Sequence, residues 1–467
     1  MKTILIPITN AFVGRTFLRT DARPLLEAAP DARLVFLVPP EKLSYYRSEF
    51  FSPKAVFDVL PEVRDTRVER FFKVLEASSI HSRTQDMLQR WEIARQDSRA
   101  AFTRGVPFFF LRRLCWYLGA YAWWRGVIRW CYILFSDREV TAAFDRHTPD
   151  MVFCPVMIGA EYAFLREARR RGIPTVGMIL SWDNLFSKNL IRVHPDTLLV
   201  HTDVIGDAAR RMGDMLASQI QAIGIPHYDR YFRRENNEYA PESRADFFKR
   251  IGADPEKKLI LYAFSGKAGL DIELEIAQIL HSALEKKEIR EPAQVLIRSY
   301  PRSDFSEEKI AMFRERYGFL TAPSVAHVGV GSENWEFDEH SLAFLANSLA
   351  HADVVITMYS TFLIEAAIFD RPIIASAFDG KKARRYWDSA ARFFVWDHLA
   401  AILPLGGIRL VKSKTEMTEA INDYLENPHK DREGRKKIVA QQCQYTDGKS
   451  GARLASILLK SLTRTSL

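Results

Sequence analysis

Three short segments in the second half of the chain carry residue types that could hold an anionic, ribose-bearing ligand. The first is MYSTFLIEAAIFDRPII (358–374), an apolar run that ends at Met358 and is followed by Ser360, Thr361 and, about one turn further on, Glu365. A helix that starts at these hydroxyls and runs to about Phe369 presents free backbone N–H groups and the positive end of its dipole to an anion. A carboxylate one turn in can accept both hydroxyls of a ribose. The same spacing also reads as an ordinary Ser N-cap with a surface charge behind it. The second segment, SGKAG (265–269), offers Ser265, Gly266 and Lys267 after an apolar run: glycines for close backbone approach and one cation. It is not a P-loop, because G-x-x-x-x-G-K-[ST] is absent, and it also reads as a common Gly turn. The third, RSYPRSD (298–304), flanks Tyr300-Pro301 with Arg298 and Arg302, a pair able to clamp phosphate oxygens or simply to lie in solvent.

The first half holds looser candidates. The loop Asn10-Ala-Phe-Val-Gly14-Arg15 follows an apolar run; Gly14 permits close approach and Arg15 can meet an anion. SWDN (181–184) puts Asp183 just after another apolar run, placed either as a general base or as an Asx-turn residue. His227, in GIPHYD (224–229), is a second candidate for proton transfer or a structural histidine. Residues 101–135 are unlike the rest. They hold 12 aromatic side chains among 35 positions, five arginines (104, 112, 113, 125, 129), and no Asp or Glu. Trp116, Ala120, Trp123, Val127, Trp130 and Leu134 recur at spacings of three and four, one helical stripe, with Arg125 and Arg129 opposite. Such a stripe suits a core helix or one lying among lipid headgroups.

The elements that must position these residues alternate. TILIPIT (3–9), RLVFLVPP (33–40), MVFCPV (151–156), PTVGMIL (174–180) and TLLVHT (197–202) are short continuous apolar runs separated by helical segments. Runs of this kind suit parallel strands buried on both faces. RYFRRENNEYAPES is polar and poor in aliphatics, and the segment 229–243 reads as a linker. The alternation then restarts with KLILYAF (258–264), QVLIRSY (294–300), VAHVGV (325–330), DVVITM (353–358) and RPIIAS (371–376). The expected fold class is α/β: a Rossmann-like domain over 1–228, a linker over 229–243, and a second such domain over 244–445. The two are expected to face a central cleft, with ligands at the C-terminal edges of their strands.

Composition narrows the class. The chain has 467 residues, a formal net charge of +8, 47% hydrophobic and 27% charged residues, which excludes wholesale disorder and suits an anionic substrate or surface. Four cysteines without a Cys-x-x-Cys pattern exclude a disulfide scaffold and a standard zinc module, and fit a reducing compartment. No apolar segment of membrane-spanning length and no secretory leader are read, so the expected location is the cytoplasm, with the inner face of the membrane as a further possibility. No nucleic-acid-binding motif is present.

The second half resembles the nucleotide-binding domain of GT-B glycosyltransferases, in the branch of the CDP-glycerol glycerophosphotransferases and bacterial surface-polysaccharide transferases. Four features carry the resemblance: Arg298 to Pro301 after a strand; the Ser360-Thr361…Glu365 helix start with Arg371-Pro372; the Phe378-Asp379-Gly380 turn; and the late DGKSGAR, Asp447 to Arg453. It covers roughly residues 255–460. It implies a GT-B fold whose last helix, 446–467, packs back on the first domain. It implies donor binding by Ser265, Gly266, Lys267, Arg298, Tyr300, Ser360, Thr361 and Glu365, and acceptor binding by Asn10, Gly14 and Arg15, with Asp183 or His227 as catalytic residues. The function expected is a glycosyltransferase moving a sugar from a nucleotide-activated donor to a surface-glycan or lipid-linked acceptor. CDP-activated polyol-phosphate transfer, nucleotide-sugar 2-epimerisation and a non-catalytic nucleotide-binding scaffold are the alternatives. No cofactor and no metal are expected, since no Asp-x-Asp stands at a strand end and basic loops can neutralise a diphosphate. Two positions depart from the family pattern: Tyr300 stands where many members carry a histidine before proline, and Thr357 stands eight residues before Glu365, where many retaining enzymes carry a second glutamate.

Overall fold

Strands rich in Ile, Leu, Val and Phe can be buried on both faces only if helices cover both sides of the sheet. The chain adopts this arrangement twice in a computed structural model, which describes residues 1–63, 67–96, 99–234, 239–266, 270–299, 307–322, 326–328 and 335–463. It divides into two units. The first comprises Met1–Arg230, Val328–Glu336 and Cys443–Leu467, and the second Tyr231–His327 and Phe337–Gln442.

In the first unit β1 (Lys2–Pro7), β2 (Ala32–Val38), β3 (Ala55–Val59), β4 (Met151–Cys154), β5 (Thr175–Met178), β6 (Thr197–Val200) and β7 (Ile220–Ala222) form a sheet in the order β3-β2-β1-β4-β5-β6-β7. All its pairings are parallel. Ile4, Ile6, Phe36 and Phe153 pack with Phe17 and with Leu454 and Leu458 of the helix Ser450–Thr463. That helix lies against the helix Ala22–Ala28, and its first two N–H groups, of Ser450 and Gly451, donate to the Asp229 carboxylate at 3.0 and 2.7 Å. Asp229 thus supplies the cap that the first turn lacks within its own sequence.

Among the described residues five helices lie between β3 and β4: Arg67–Ser79, Arg83–Ala94, Arg99–Leu118, Ala122–Ile133 and Arg138–His147. The single stripe expected through 116–134 is broken at 119–121, between two helices. Trp116 turns inward, donating its Nε1–H to the Ser82 carbonyl at 3.0 Å and lying 3.9 Å from the His81 ring. A buried ion cluster ties the insertion to the sheet. Arg192, wholly buried, meets Glu69 at 2.9 Å and Glu76 at 3.0 Å, and its guanidinium lies over the rings of Tyr132 and Tyr162. Removing one member of such a cluster leaves an unpaired buried charge, at about 3–5 kcal/mol.

In the second unit β8 (Lys258–Ala263), β9 (Ala293–Arg298), β10 (Leu320–Thr321), β13 (Val354–Thr357), β14 (Ile373–Ser376) and β15 (Arg409–Val411) form a sheet in the order β10-β9-β8-β13-β14-β15. Its pairings are parallel too. Among the described residues, the run VAHVGV, expected as one of these strands, contributes the two-residue β11 (Ala326–His327), outside this sheet. The equally short β12 (Trp335–Glu336) falls in the first unit. Where a linker was expected, Asp229–Phe232 is helical, and Glu242 is anchored by Asn347, whose Oδ1 accepts from its N–H at 2.8 Å.

Candidate functional site

The second unit brings its candidate residues to the ends of β8, β9 and β13. Gly266 has φ of 133°, a conformation that side chains disfavour, so the loop after β8 turns there because the residue is glycine. The Ser265 hydroxyl just before it accepts from the N–H groups of Met358 and Tyr359 at 3.2 and 3.1 Å and lies 3.2 Å from the Thr357 hydroxyl. Ser265 therefore stitches the end of β8 to the end of β13. Its own N–H donates to Glu273 at 2.6 Å. Glu273, wholly buried in the helix Leu270–Glu285, has its carboxyl pushed up to about 8 by burial, against the pull of hydrogen bonds from Ser265 and Gly266. Sequence reasoning missed this residue. The signal was an acid sharing the apolar face of a helix with Ile272, Ile276 and Leu280.

Arg298 ends β9, half-buried, with its guanidinium 5.4 Å from the ring of Phe362 in the first turn of the helix Phe362–Ile368. Ser360 acts as a local cap, its hydroxyl accepting from the Phe362 N–H at 3.2 Å, while the half-buried Thr361 makes no side-chain capping bond. Glu365 is not a surface charge. It is 2% exposed and accepts from the Tyr231 hydroxyl at 2.8 Å, and Tyr231 packs edge-on against Phe369. Arg298, Ser360, Thr361 and Glu365 thus gather around one helix start. Beside them Tyr359 stacks on Phe393 at 3.8 Å, an aromatic pair the sequence reading did not single out. Lys267, Tyr300 and Arg302 lie outside the described residues. The Phe378–Gly380 turn is held by Asp379, which accepts from the N–H groups of Ala390 and Arg384 at 2.8 and 3.2 Å.

In the first unit the loop after β1 is already filled. Asn10 closes an Asx-turn, its Oδ1 accepting from Phe12 N–H at 2.9 Å. Gly14 opens a π-helical turn, Gly14–Leu18. A Cβ on Gly14 would stand 2.7 Å from the Glu336 carboxylate, so the close approach expected of a ligand at Gly14 is made by the protein itself. Glu336 accepts from Lys42 Nζ at 2.9 Å and from the Tyr46 hydroxyl at 2.6 Å; burial pushes its carboxyl up, with Lys42 opposing.

Arg15 and His227, read separately from sequence, meet at 2.8 Å, Nη2 to Nε2. Burial, and then the Arg15 charge, push His227 well below the usual imidazole range. Its Nε2 lone pair is engaged by Arg15, and its Nδ1 is buried. In this arrangement the ring has no lone pair free for a substrate proton, and the geometry makes His227 a support for Arg15. His201, buried at the end of β6, is pushed down to about 4 by burial alone. Asp183 precedes the short helix Asn184–Ser187 and pairs with Lys188 at 2.8 Å, keeping an accessible edge. Its carboxylate also accepts from the Asn184 amide at 3.2 Å and the Ser187 hydroxyl at 3.3 Å.

Among the described residues no three His, Cys, Asp or Glu side chains stand close enough to hold a metal ion, and no helix is long and apolar enough to cross a membrane.

No curated protein matches the chain. Among solved structures, UDP-GlcNAc 2-epimerase from Neisseria meningitidis, bound to UDP-GlcNAc, is similar at a TM-score of 0.55 and 10% identity, covering 98% of this chain and 100% of that one. The S. aureus MnaA–UDP co-structure is similar at 0.52 and 11%, covering 100% and 99%. The wall teichoic acid polymerase TagF, soaked with CDPG, is similar at 0.50 and 11%, covering 99% and 88%. At these identities the likeness establishes the fold: two Rossmann-like parallel-sheet domains of GT-B type. The model of the CDP-Glycerol:Poly(glycerophosphate) glycerophosphotransferase family matches residues 186–460, a stretch that opens just after Asp183, takes in Arg298 and the Ser360–Glu365 helix start, and ends within the last helix. That stretch is more than half of the chain, and the chain belongs to this family of transferases.

Proposed function

We propose that the protein transfers a polyol phosphate from a CDP-activated donor to a hydroxyl of a surface-glycan or lipid-linked polymer acceptor, at the inner face of the cell membrane. The family match over residues 186–460 carries this reading, and the gathering of Arg298, Ser360, Thr361 and Glu365 supports it. Arg298 meets the diphosphate, with charge-assisted bonds to its oxygens. Ser360 and Thr361 approach the same group, and Glu365 accepts from the ribose hydroxyls by exchanging its bond with Tyr231. The loop Ser265–Gly266, stitched to β13, holds the backbone that faces the nucleotide, with Lys267 and Tyr300 completing the donor set. Of the loop after β1, Arg15, supported by His227, meets the acceptor side.

In the reaction an acceptor oxygen forms a bond to the phosphorus that bears the polyol. The bond from that phosphorus to the bridging oxygen breaks, and CMP leaves with the bridging oxygen. Asp183 takes the acceptor proton as the new bond forms. The charge that builds on the leaving phosphate is met by Arg298 rather than by a metal ion.

A second reading, sugar transfer from a nucleotide sugar, is favoured by one observation: Tyr300 in place of the family's histidine. There the acceptor attacks the anomeric carbon and a nucleoside diphosphate leaves. One experiment separates the two. The full chain is incubated with CDP-glycerol or with a panel of nucleotide sugars, each with and without a lipid-linked polyol-phosphate acceptor, and the released nucleotide is identified. CMP released only with acceptor supports polyol-phosphate transfer. A nucleoside diphosphate released only with acceptor supports sugar transfer. An isomerised sugar formed without acceptor would mean an epimerase. Nucleotide binding without turnover would mean a scaffold.

A further inference from the structure

An acid lies directly behind the Ser265–Gly266 loop. Glu273 is wholly buried in the first turn of the helix Leu270–Glu285. One carboxyl oxygen accepts from the Ser265 N–H at 2.6 Å, and the Gly266 N–H adds to the hold on the group. The other oxygen, Oε2, is buried without a hydrogen-bond partner among the described residues. An ionised carboxyl placed so keeps one oxygen unsolvated, and a proton on that oxygen removes the charge. The group is accordingly held up at about 8 and is mostly neutral at pH 7. Among the described residues no charged side chain contributes to this balance. From β8 the Tyr262 side chain faces it, its hydroxyl pushed up by burial and donating to the Glu273 carbonyl at 3.3 Å. From the end of β13 comes the neutral Thr357 hydroxyl, 3.2 Å from that of Ser265. On its own helix Glu275 is turned to Arg384 at 3.1 Å, and His281 to the rings of Tyr317 and Phe319.

A short series of bonds wires this acid to the donor residues. Ser265, held by Glu273 through its N–H, accepts at its hydroxyl from the N–H groups of Met358 and Tyr359. The next two residues are Ser360 and Thr361, at the start of the helix that carries Glu365. β8 and β13 are neighbours in the middle of the sheet, so Glu273 stands behind two adjacent strand ends of the kind at which ligands bind. The proposed reaction gives this carboxyl no part, yet it touches the backbone that faces the nucleotide.

We infer that Glu273 is a positioning residue for the donor that must be neutral to act: uncharged, it holds the Ser265–Gly266 backbone beside the diphosphate; ionised, it sets a negative charge behind the same backbone and drives the diphosphate off. Its proton stays on the protein throughout, so Glu273 acts through the loop and touches no reacting atom. Two like charges repel strongly where water is excluded. Donor binding and protonation of Glu273 are then linked, each favouring the other. With only the neutral form competent, the apparent Kd for a nucleoside diphosphate rises by the factor 1 + 10^(pH − 8), about 1.1-fold at pH 7 and about 11-fold at pH 9. The inference deepens the proposed function by adding a proton to donor binding, and it rests on that reading for the donor being a nucleoside diphosphate derivative.

The test is calorimetric titration of the full chain with CDP and with cytidine at pH 7, 8 and 9, in two buffers of different ionisation enthalpy. For the wild type, CDP affinity is expected to fall about tenfold from pH 7 to pH 9 while cytidine affinity changes less than about twofold, and CDP binding at pH 8 is expected to take up about half a proton. Glu273→Gln, uncharged at every pH, is expected to bind CDP with a Kd that is flat from pH 7 to pH 9 and to take up no proton. A flat wild-type Kd for CDP overturns the inference. So does an equal fall in Glu273→Gln, which would place the titrating group elsewhere, and so does an equal fall with cytidine, which would trace the loss to the fold of the loop. Should Glu273→Gln fail to fold, the wild type's proton count decides: about half a proton taken up at pH 8 supports the inference and none overturns it. Absence of CDP binding at every pH counts against the proposed donor, and the inference falls with it; CDP binding with a flat profile counts against the inference alone.

Discussion

The two parallel sheets end in very different edges. In the first unit the strand ends are closed by the protein's own side chains, drawn from three stretches of chain: Glu336 fills the space at Gly14, His227 holds Arg15, and Asp229 caps the helix Ser450–Thr463. In the second unit one hydroxyl, Ser265, ties two loops through backbone N–H groups, and Arg298 and Glu365 converge beside them. The first edge is built from interlocked side chains and has little tolerance for loss. The second has a backbone frame, and its charged groups can be changed one at a time. A sheet edge framed by backbone is the better place to bind a ligand without endangering the fold.

This contrast can be broken by mutation. The largest effect is expected from Arg192→Ala, which takes the ion pair from buried Glu76 and leaves Glu69 facing Arg166 at 3.6 Å; the first unit should lose about 3–5 kcal/mol in urea unfolding of the full chain. A loss below about 1 kcal/mol would mean that these ions are not an interlocked group.

In the second unit the effect should fall on binding. Arg298→Ala and Glu365→Ala are each expected to cost about 1.5–3 kcal/mol of nucleotide affinity, roughly 10- to 150-fold, by calorimetry. For Arg298→Ala the loss should appear with CDP and be nearly absent with cytidine. Equal losses for the two ligands would place its guanidinium away from the phosphates.

Gly14→Ala sharpens the contrast from the other side. Its Cβ would press on the Glu336 carboxylate, and about 1–3 kcal/mol of stability should go, with nucleotide affinity unchanged.

The smallest effects concern pH, and they have opposite signs in the two units. His194 and His201 are held down at about 4, below the 6.5 of a free imidazole. The unfolded chain then takes up protons that the folded one refuses, so the first unit should lose stability as pH falls from 6.5 to 4. Glu273 is held up at about 8. The unfolded chain then releases a proton that the folded one keeps, so the second unit should lose stability as pH rises from about 4.5 to 8. Glu273→Gln should raise the second unit's Tm by a few degrees at pH 9 and leave it unchanged at pH 4. An equal shift at both pH values would trace the effect to packing instead of ionisation.

What the sequence shows and hides follows from how local each determinant is. The central strands announce themselves as continuous apolar runs, because burial on both faces leaves no room for polar residues. β3 (AVFDV), β7, β10 and β15 are not legible: they are edge strands or very short, and AVFDV carries an aspartate on its half-open side. The helix start at Ser360 is legible because a cap acts within three residues. Glu336 at Gly14 and Asp214 at Arg125 and Arg129 are not legible, because each partner stands tens to hundreds of residues away. The same distance explains why a segment without acids looked electrostatically open while its counter-ions lay elsewhere.

The first unit's division into three stretches of chain has a consequence for the order of its birth. Leu454 and Leu458 form one wall of its core, yet they emerge from the ribosome only after the whole second unit has been made. At ~5–20 residues per second, the more than 200 residues between Arg230 and Cys443 take roughly 10–40 s to appear. For that interval the nascent sheet has an uncovered apolar flank, including Phe17 and Phe153, the kind of surface that chaperones shield. A ribosome stalled between Gln442 and Ser450 would leave the first unit unfinished and its partner fully synthesised.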